Sequence, residues 1–177
     1  MATLSDGQLV ARCRAGDPAA WNELVERFSR YVYAICVQAF RLRAEDAEDV
    51  FQEVFARAYE RLDSLRDDDA IRPWLAQLTR RLCIDRLRAQ RRETAEDPAE
   101  LEPAGVDAAL ADLDEAMAVR DGLERLGDPC RDILDRFFAR DESYRTIGDA
   151  LGLPSGTVAS RISRCLGKLR EELEGRT

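Results

Sequence analysis

The sequence predicts an all-α chain of two small helical domains joined by a flexible acidic linker. Three observations predict it. Apolar residues on both flanks recur at helical spacing, no stretch alternates with β-branched enrichment, and the acidity is concentrated in one short segment that carries Pro98 and Pro103. The domains are placed at residues 1–92 and 108–177, with the linker at 93–107.

The elements follow in order along the chain. Ser5 opens a short helix that Gly16 closes, and Asp17-Pro18 is an N-cap followed by proline at the first helical position. Trp21, Leu24, Val25, Phe28, Val32, Ile35 and Phe40 then fall on one apolar helix face. A second long helix covers roughly 44–62, and an aspartate-rich turn (Asp63, Asp67, Asp68, Asp69) leads to a third over roughly 71–92. Beyond the linker, Asp107 to Leu126 reads as a helix ended by Gly127. Asp128-Pro129 repeats the cap-then-proline start, for a helix reaching about Phe138. Ser143 to Leu151 is short and closed by Gly152, and Pro154-Ser155-Gly156 leads into a last helix ending near Glu174. No internal sequence repeat is present.

Composition removes whole classes of function. The 177 residues include no His, which excludes Ser-His-Asp and Cys-His catalysis and every Cys/His zinc site. With no glycine-rich phosphate loop and no nucleophile–base pair either, the chain is expected to be no enzyme. The five cysteines (Cys13, Cys36, Cys83, Cys130, Cys165) are scattered and form no C-x-x-C, so they are expected to be buried reduced thiols, with neither metal, cofactor nor disulfide framework. No apolar run is long enough to span a membrane, and the N-terminus has no basic start followed by an apolar stretch, so a cytoplasmic location is expected.

The net charge of −8 taken alone argues against nucleic-acid binding, but its distribution reverses the inference. Residues 1–92 have net charge +1, residues 93–121 −9, and residues 122–177 zero. The helix beginning at Ile71 carries seven Arg against one acid, Asp85. On it Ile71, Trp74, Leu75, Leu78 and Leu82 share the apolar face, while Arg80, Arg88 and Arg91 fall opposite with Ile84 among them. Such a face suits a nucleic-acid backbone, with Trp74 placed to stack or wedge against a base; a solvated charged helix is the competing interpretation. The helix before it carries Asp46, Asp49, Glu53 and Glu60 in one stripe beside Ala47, Val50, Val54 and Ala58, with Gln52 further round. A straight helix is the wrong shape for a calcium loop, so the stripe is expected to dock on a basic protein surface or simply to be solvated.

The sharpest signal is C-terminal. Tyr144 to Leu151 is followed by a tight Gly-Leu-Pro turn and a helix whose start is small and polar: Ser155, Gly156, Thr157, Ser160. Arg161, Arg164, Lys168 and Arg170 follow with no acid between Pro154 and Arg170, the pattern of a helix-turn-helix that enters the major groove while cations meet phosphates. An αα-hairpin with a basic face is the alternative.

Three strings, DAEDVFQEVFARAY (46–59), WLAQLTRRLCIDRLRAQRR (74–92) and SYRTIGDALGLPSGTVASRI (143–162), resemble in this order the extracytoplasmic-function (ECF) sigma factors of bacterial RNA polymerase, as does the opening LVARCRAGDPAAWNELVERF (9–28). The resemblance implies that Asp46, Asp49, Gln52 and Glu53 dock on core RNA polymerase. It implies that Arg72, Trp74, Arg80, Arg81, Asp85, Arg86 and Arg88, with the loop 63–70, read and melt the −10 promoter element. It further implies that Tyr144, Arg145, Ser155, Thr157, Ser160, Arg161 and Arg164 read the −35 element, and that an anti-sigma factor covers these surfaces. Ala159 stands where many relatives have Lys or Arg, which implies weaker or differently specified −35 binding. An ordinary helix-turn-helix regulator is the runner-up, yet it would need neither an acidic docking helix nor the basic, Trp-bearing helix after it. The acidic tether is expected to mask the basic faces in the absence of polymerase.

Overall fold

The computed structural model describes residues 3–91 and 102–175; Arg92 and the linker residues 93–101 lie outside them. Eight α-helices are described: α1 (Asp6–Arg14), α2 (Pro18–Ala34), α3 (Ala44–Arg61), α4 (Ile71–Gln90), α5 (Val106–Leu126), α6 (Asp128–Leu134), α7 (Tyr144–Leu151) and α8 (Ser155–Glu174). No strand occurs among the described residues. The chain divides into two units, Met1–Leu113 and Asp114–Thr177, and the boundary falls within α5.

In the first unit the local caps act as the sequence predicts. Ser5 Oγ accepts from the Gln8 amide while Gln8 Oε1 accepts from the Ser5 amide, a reciprocal box that starts α1. Asp17 Oδ1 accepts from the Ala19 and Ala20 amides, and Pro18 follows at the first position of α2. Leu24, Phe28, Val32 and Ile35 are fully buried, and they pack with Leu9, Val10, Ile71 and Leu75 in a core shared by α1 to α4. Trp21 and Val25 sit at its edge, with the Trp21 ring edge-on to Tyr59.

The predicted apolar face of α2 runs on to Phe40, but the helix changes type first. Ile35–Ala39 is a π-helical turn, in which the Phe40 amide donates to the Ile35 carbonyl. Arg41 then takes a left-handed conformation (φ 54°), Leu42 N donates to Cys36 O, and α3 begins. The same joint recurs in the second unit. Asp135–Ala139 is a π turn, Arg140 N donates to Asp135 O, Asp141 has φ 53°, Glu142 N donates to Arg136 O, and α7 begins. The side chains of the two joints differ, so a backbone repeat exists where the sequence shows none.

The second unit is built around Ile133, Leu134, Ile147, Val158 and Ile162, with Leu123, Leu126, Phe137, Leu151 and Leu153 packed against them. Ser143 caps α7 through the Thr146 amide. Gly152 ends it in the left-handed region (φ 67°), where a side chain would be strained. Gly148 is a close-approach glycine: a Cβ there would lie 2.4 Å from the Leu153 carbonyl oxygen.

Two expectations are corrected. Cys130 and Cys165 are joined by a disulfide with Cα atoms 5.4 Å apart, because α6 and α8 pack side by side although their cysteines are 35 residues apart in sequence. Cys36 and Cys83 remain free and buried with sulfurs 3.8 Å apart, and Cys13 is free and half-buried. Asp128 does not cap α6; Gly127 occupies that position, and the Asp128 side chain projects into solvent near Arg131.

Candidate nucleic-acid interface

On α4, the residues predicted to touch DNA separate into two groups. Arg80, Arg81, Asp85 and Arg88 line one shallow groove together with Gln77 and Ile84. Arg81, Asp85 and Arg88 are exposed, and Arg88 Nη1 lies 3.9 Å from Asp85 Oδ1. Gln77 was not among the predicted residues; its position three and four residues before Arg80 and Arg81 is the signal that places it on their face. Arg80 is engaged by acids of the linker's C-terminal part: it pairs with Glu102, and its Nη1 donates to Asp107 Oδ1 at 3.0 Å. Trp74 is half-buried one turn before Gln77 and does not line the groove.

Arg72 and Arg86 face inward contacts instead. Arg72 Nη2 lies 4.0 Å from Asp6 Oδ2 on α1. Arg86 donates through Nε and Nη2 to Asp46 Oδ1 at 3.0 and 2.8 Å, and through Nη2 to Asp49 Oδ2 at 3.0 Å. Gln90 donates to the other Asp46 oxygen at 2.8 Å, and Arg43 stands 3.7 Å from it. These donors hold the Asp46 carboxyl below the usual carboxylate range, chiefly through Arg86, and raise the Arg86 guanidinium in turn. Asp46 is only 8% exposed, so it ties α3 to α4. Asp49, Gln52 and Glu53 are exposed on α3, with Glu53 in an i,i+4 pair with Arg57, and Glu60 is exposed beyond them.

In the second unit the cations of α8 stand open. Arg161 and Arg164 are exposed, and with Lys168 they line a groove completed by Pro129, Cys130, Asp132, Ile133, Leu151 and Cys165. Among the described residues, none of these three cations is in an ion pair. Ser155 is exposed, Thr157 half-buried, and the exposed Ser160 hydroxyl donates to Gly156 O. Tyr144 stacks on Phe137 at 5.4 Å between centroids, with Phe138 edge-on to Phe137 and itself 61% exposed. Arg145 is exposed on the following position. The amino end of α8 is thus polar, small and cationic, the composition that a major-groove helix needs.

Residues 24–93 match Sigma-70 region 2, and residues 122–171 match Sigma-70, region 4. The chain is 32% identical to the ECF RNA polymerase sigma factor SigM of Mycobacterium tuberculosis over 93% of this chain and 83% of that one. The chain belongs to the ECF sigma factor family. It is also 26% identical to the ECF sigma factor SigW of Bacillus subtilis over 93% of this chain and 94% of that one. Among solved structures, CnrH in complex with the cytosolic domain of CnrY is similar over 97% of this chain, with TM-score 0.42 and 23% identity. In this ECF sigma factor, region 2 takes in most of α2, all of α3 and α4, and region 4 runs from the end of α5 into α8. No helix among the described residues is long and apolar enough to cross a membrane, and no group of three or more His, Cys, Asp or Glu among them is placed to hold a metal ion.

Proposed function

We propose that this ECF sigma factor binds bacterial core RNA polymerase in the cytoplasm and directs promoter-specific transcription initiation without catalysing a reaction itself. Residues 1–92 dock on the polymerase and read and melt the −10 element, residues 108–177 read the −35 element, and residues 93–107 link them. An anti-sigma factor that covers these surfaces holds the protein inactive.

The observation that supports this assignment most directly is the α4 groove, where Arg81 and Arg88 stand exposed around Ile84 and Gln77. Cations at a groove rim meet phosphates, and an apolar floor accepts a base taken out of its stack. On α3 the docking surface is Asp49, Gln52 and Glu53, the exposed part of the acidic stripe, for which a basic polymerase surface is the complement. Asp46 and Arg86 serve as the tie that holds α3 and α4 at a fixed angle, a positioning role in place of the contacts the resemblance implies for them.

The test mixes sigma-free core polymerase with the wild-type chain or with D49K/E53K and follows co-elution by size exclusion. The wild type is expected to co-elute and to support promoter-dependent run-off transcription. The variant should keep its helix content by circular dichroism and lose co-elution. Normal holoenzyme formation by D49K/E53K refutes the docking assignment, and failure of the wild type to support transcription refutes the function.

A further inference from the structure

The two buried cysteine pairs of this chain differ in what borders them. Cys36 and Cys83 lie in the sealed core of the first unit, each fully buried. Their mutual contact and that burial hold the Cys83 thiol far above its ordinary value, so it stays protonated and inert. Cys130 and Cys165 are also buried, each 7% exposed in the core of the second unit, but they border a groove whose polar residues are Arg161, Arg164, Lys168 and one acid, Asp132. The thiolate is the form that attacks peroxides and disulfides, and the groove gives a small oxidant or dithiol its approach to these sulfurs. Their Cα separation of 5.4 Å is one that a disulfide spans without backbone movement.

We propose that Cys130 and Cys165 form an oxidant-operated dithiol/disulfide site, taking a small hydroperoxide as oxidant and a small dithiol as reductant, that sets the stability of the helix-turn-helix. In the forward direction one thiolate attacks a peroxide oxygen and breaks the O–O bond, giving a sulfenic acid and releasing water once protonated. The second thiol then displaces the sulfenic oxygen as a second water. The sulfur pair loses two electrons, and hydrogen peroxide gains them. A dithiol reverses the step by thiol–disulfide exchange and leaves as its own disulfide.

The site is placed to matter for α8. Cys165 directly follows Arg164 and lies one turn after Arg161, so the bridge clamps the middle of the helix that carries both cations to the start of α6. Without the bridge the unit keeps its core of Ile133, Leu134, Ile147, Val158 and Ile162, but its unfolded chain regains the freedom of a 35-residue separation. Reduction should therefore lower the thermal midpoint of this unit by roughly 15 °C. The consequence for DNA rests on the −35 role proposed above; the redox chemistry does not.

The experiment compares the full-length chain in two states, reduced with dithiothreitol and desalted, then oxidised with hydrogen peroxide. Alkylation with iodoacetamide under denaturing conditions, followed by peptide mass analysis, should show Cys130 and Cys165 protected after oxidation while Cys36 and Cys83 remain alkylated. Calorimetry should show only the second unit's transition moving. Holoenzyme binding to a labelled duplex carrying the promoter mapped from transcript 5′ ends, measured between the two midpoints, should survive in the oxidised state and be lost in the reduced one. Unprotected Cys130 and Cys165, or equal midpoints in the two states, overturn the proposal. A shifted midpoint with no promoter binding in either state supports the redox site and overturns the −35 assignment.

Discussion

Replacing Gly148 with alanine adds a single methyl group at the tightest point of the helix-turn-helix. That carbon would stand 2.4 Å from the Leu153 carbonyl oxygen and 3.6 Å from Val158 Cγ2. An unstrained carbon–oxygen contact needs about 3.3 Å, so the turn must retreat by about 1 Å. The retreat stretches the bond from the Leu153 amide to the Gly148 carbonyl, 2.8 Å long, which folds the turn back on α7. Overpacking against backbone costs about 1–3 kcal/mol and weakening that bond adds up to about 1 kcal/mol, while alanine returns about 1 kcal/mol of helix propensity. The net loss is about 2 kcal/mol, or a fall of about 8–16 °C in the midpoint of a unit this small. Calorimetry on the full chain, with the disulfide state held constant, measures it. Gly167 on α8 is the matched control, since nothing lies within 4 Å of its missing Cβ. G167A should raise the same midpoint, by about 4–8 °C. A G148A midpoint at or above the wild-type value would refute the steric argument.

Three further outcomes follow from the charges. D46N should destabilise the first unit by about 2 kcal/mol at neutral pH, since it removes the charge that three donors share. Because the Asp46 carboxyl titrates below its unfolded value, its stabilisation is complete above the ordinary carboxylate range and disappears as pH falls through the lowered value, so denaturant midpoints of wild type and D46N should converge in acid. E102Q/D107N should release Arg80 for phosphate, strengthening duplex binding by the free chain and steepening its salt dependence by up to about one unit in a fluorescence-anisotropy titration. R161A/R164A should spare co-elution with core polymerase and reduce the salt slope of promoter binding by about two units, measured the same way.

What the sequence makes legible is what a few neighbouring residues decide. The starts at Ser5, Asp17 and Ser143 are visible because each cap bonds to amides no more than three residues away. The α4 groove is partly legible for the same reason: Arg80, Ile84 and Arg88 share a face at helical spacing, whereas Arg81 and Asp85 enter through the family resemblance, Gln77 escaped, and Arg91, read onto the same face, does not line the groove. Through-space facts are not legible. Asp46 belongs to the acidic stripe by its angle on α3, but the packing of α4 against it decides that it meets Arg86 and Gln90 and not solvent. The Cys130–Cys165 bridge depends in the same way on α6 lying beside α8. The π turns stay hidden because Phe40 continues the apolar face whether the backbone bonds close on the fourth or the fifth residue.

The paired π-turn joints have a consequence for phase. A π turn holds one surplus residue, and one residue on an α-helix is a rotation of about 100°. In each unit that surplus falls directly upstream of a helix whose facing matters: α3, which bears Asp49, Gln52 and Glu53, and α7, which opens the helix-turn-helix. Deleting one residue within 35–39 or 135–139 would let the turn close as ordinary α-helix and leave the upstream apolar face out of step with the helix that follows. Each joint therefore shifts the exit of its helix by one residue, fixing where residues 40–43 and 140–143 leave the upstream apolar face without prescribing the side chains they carry.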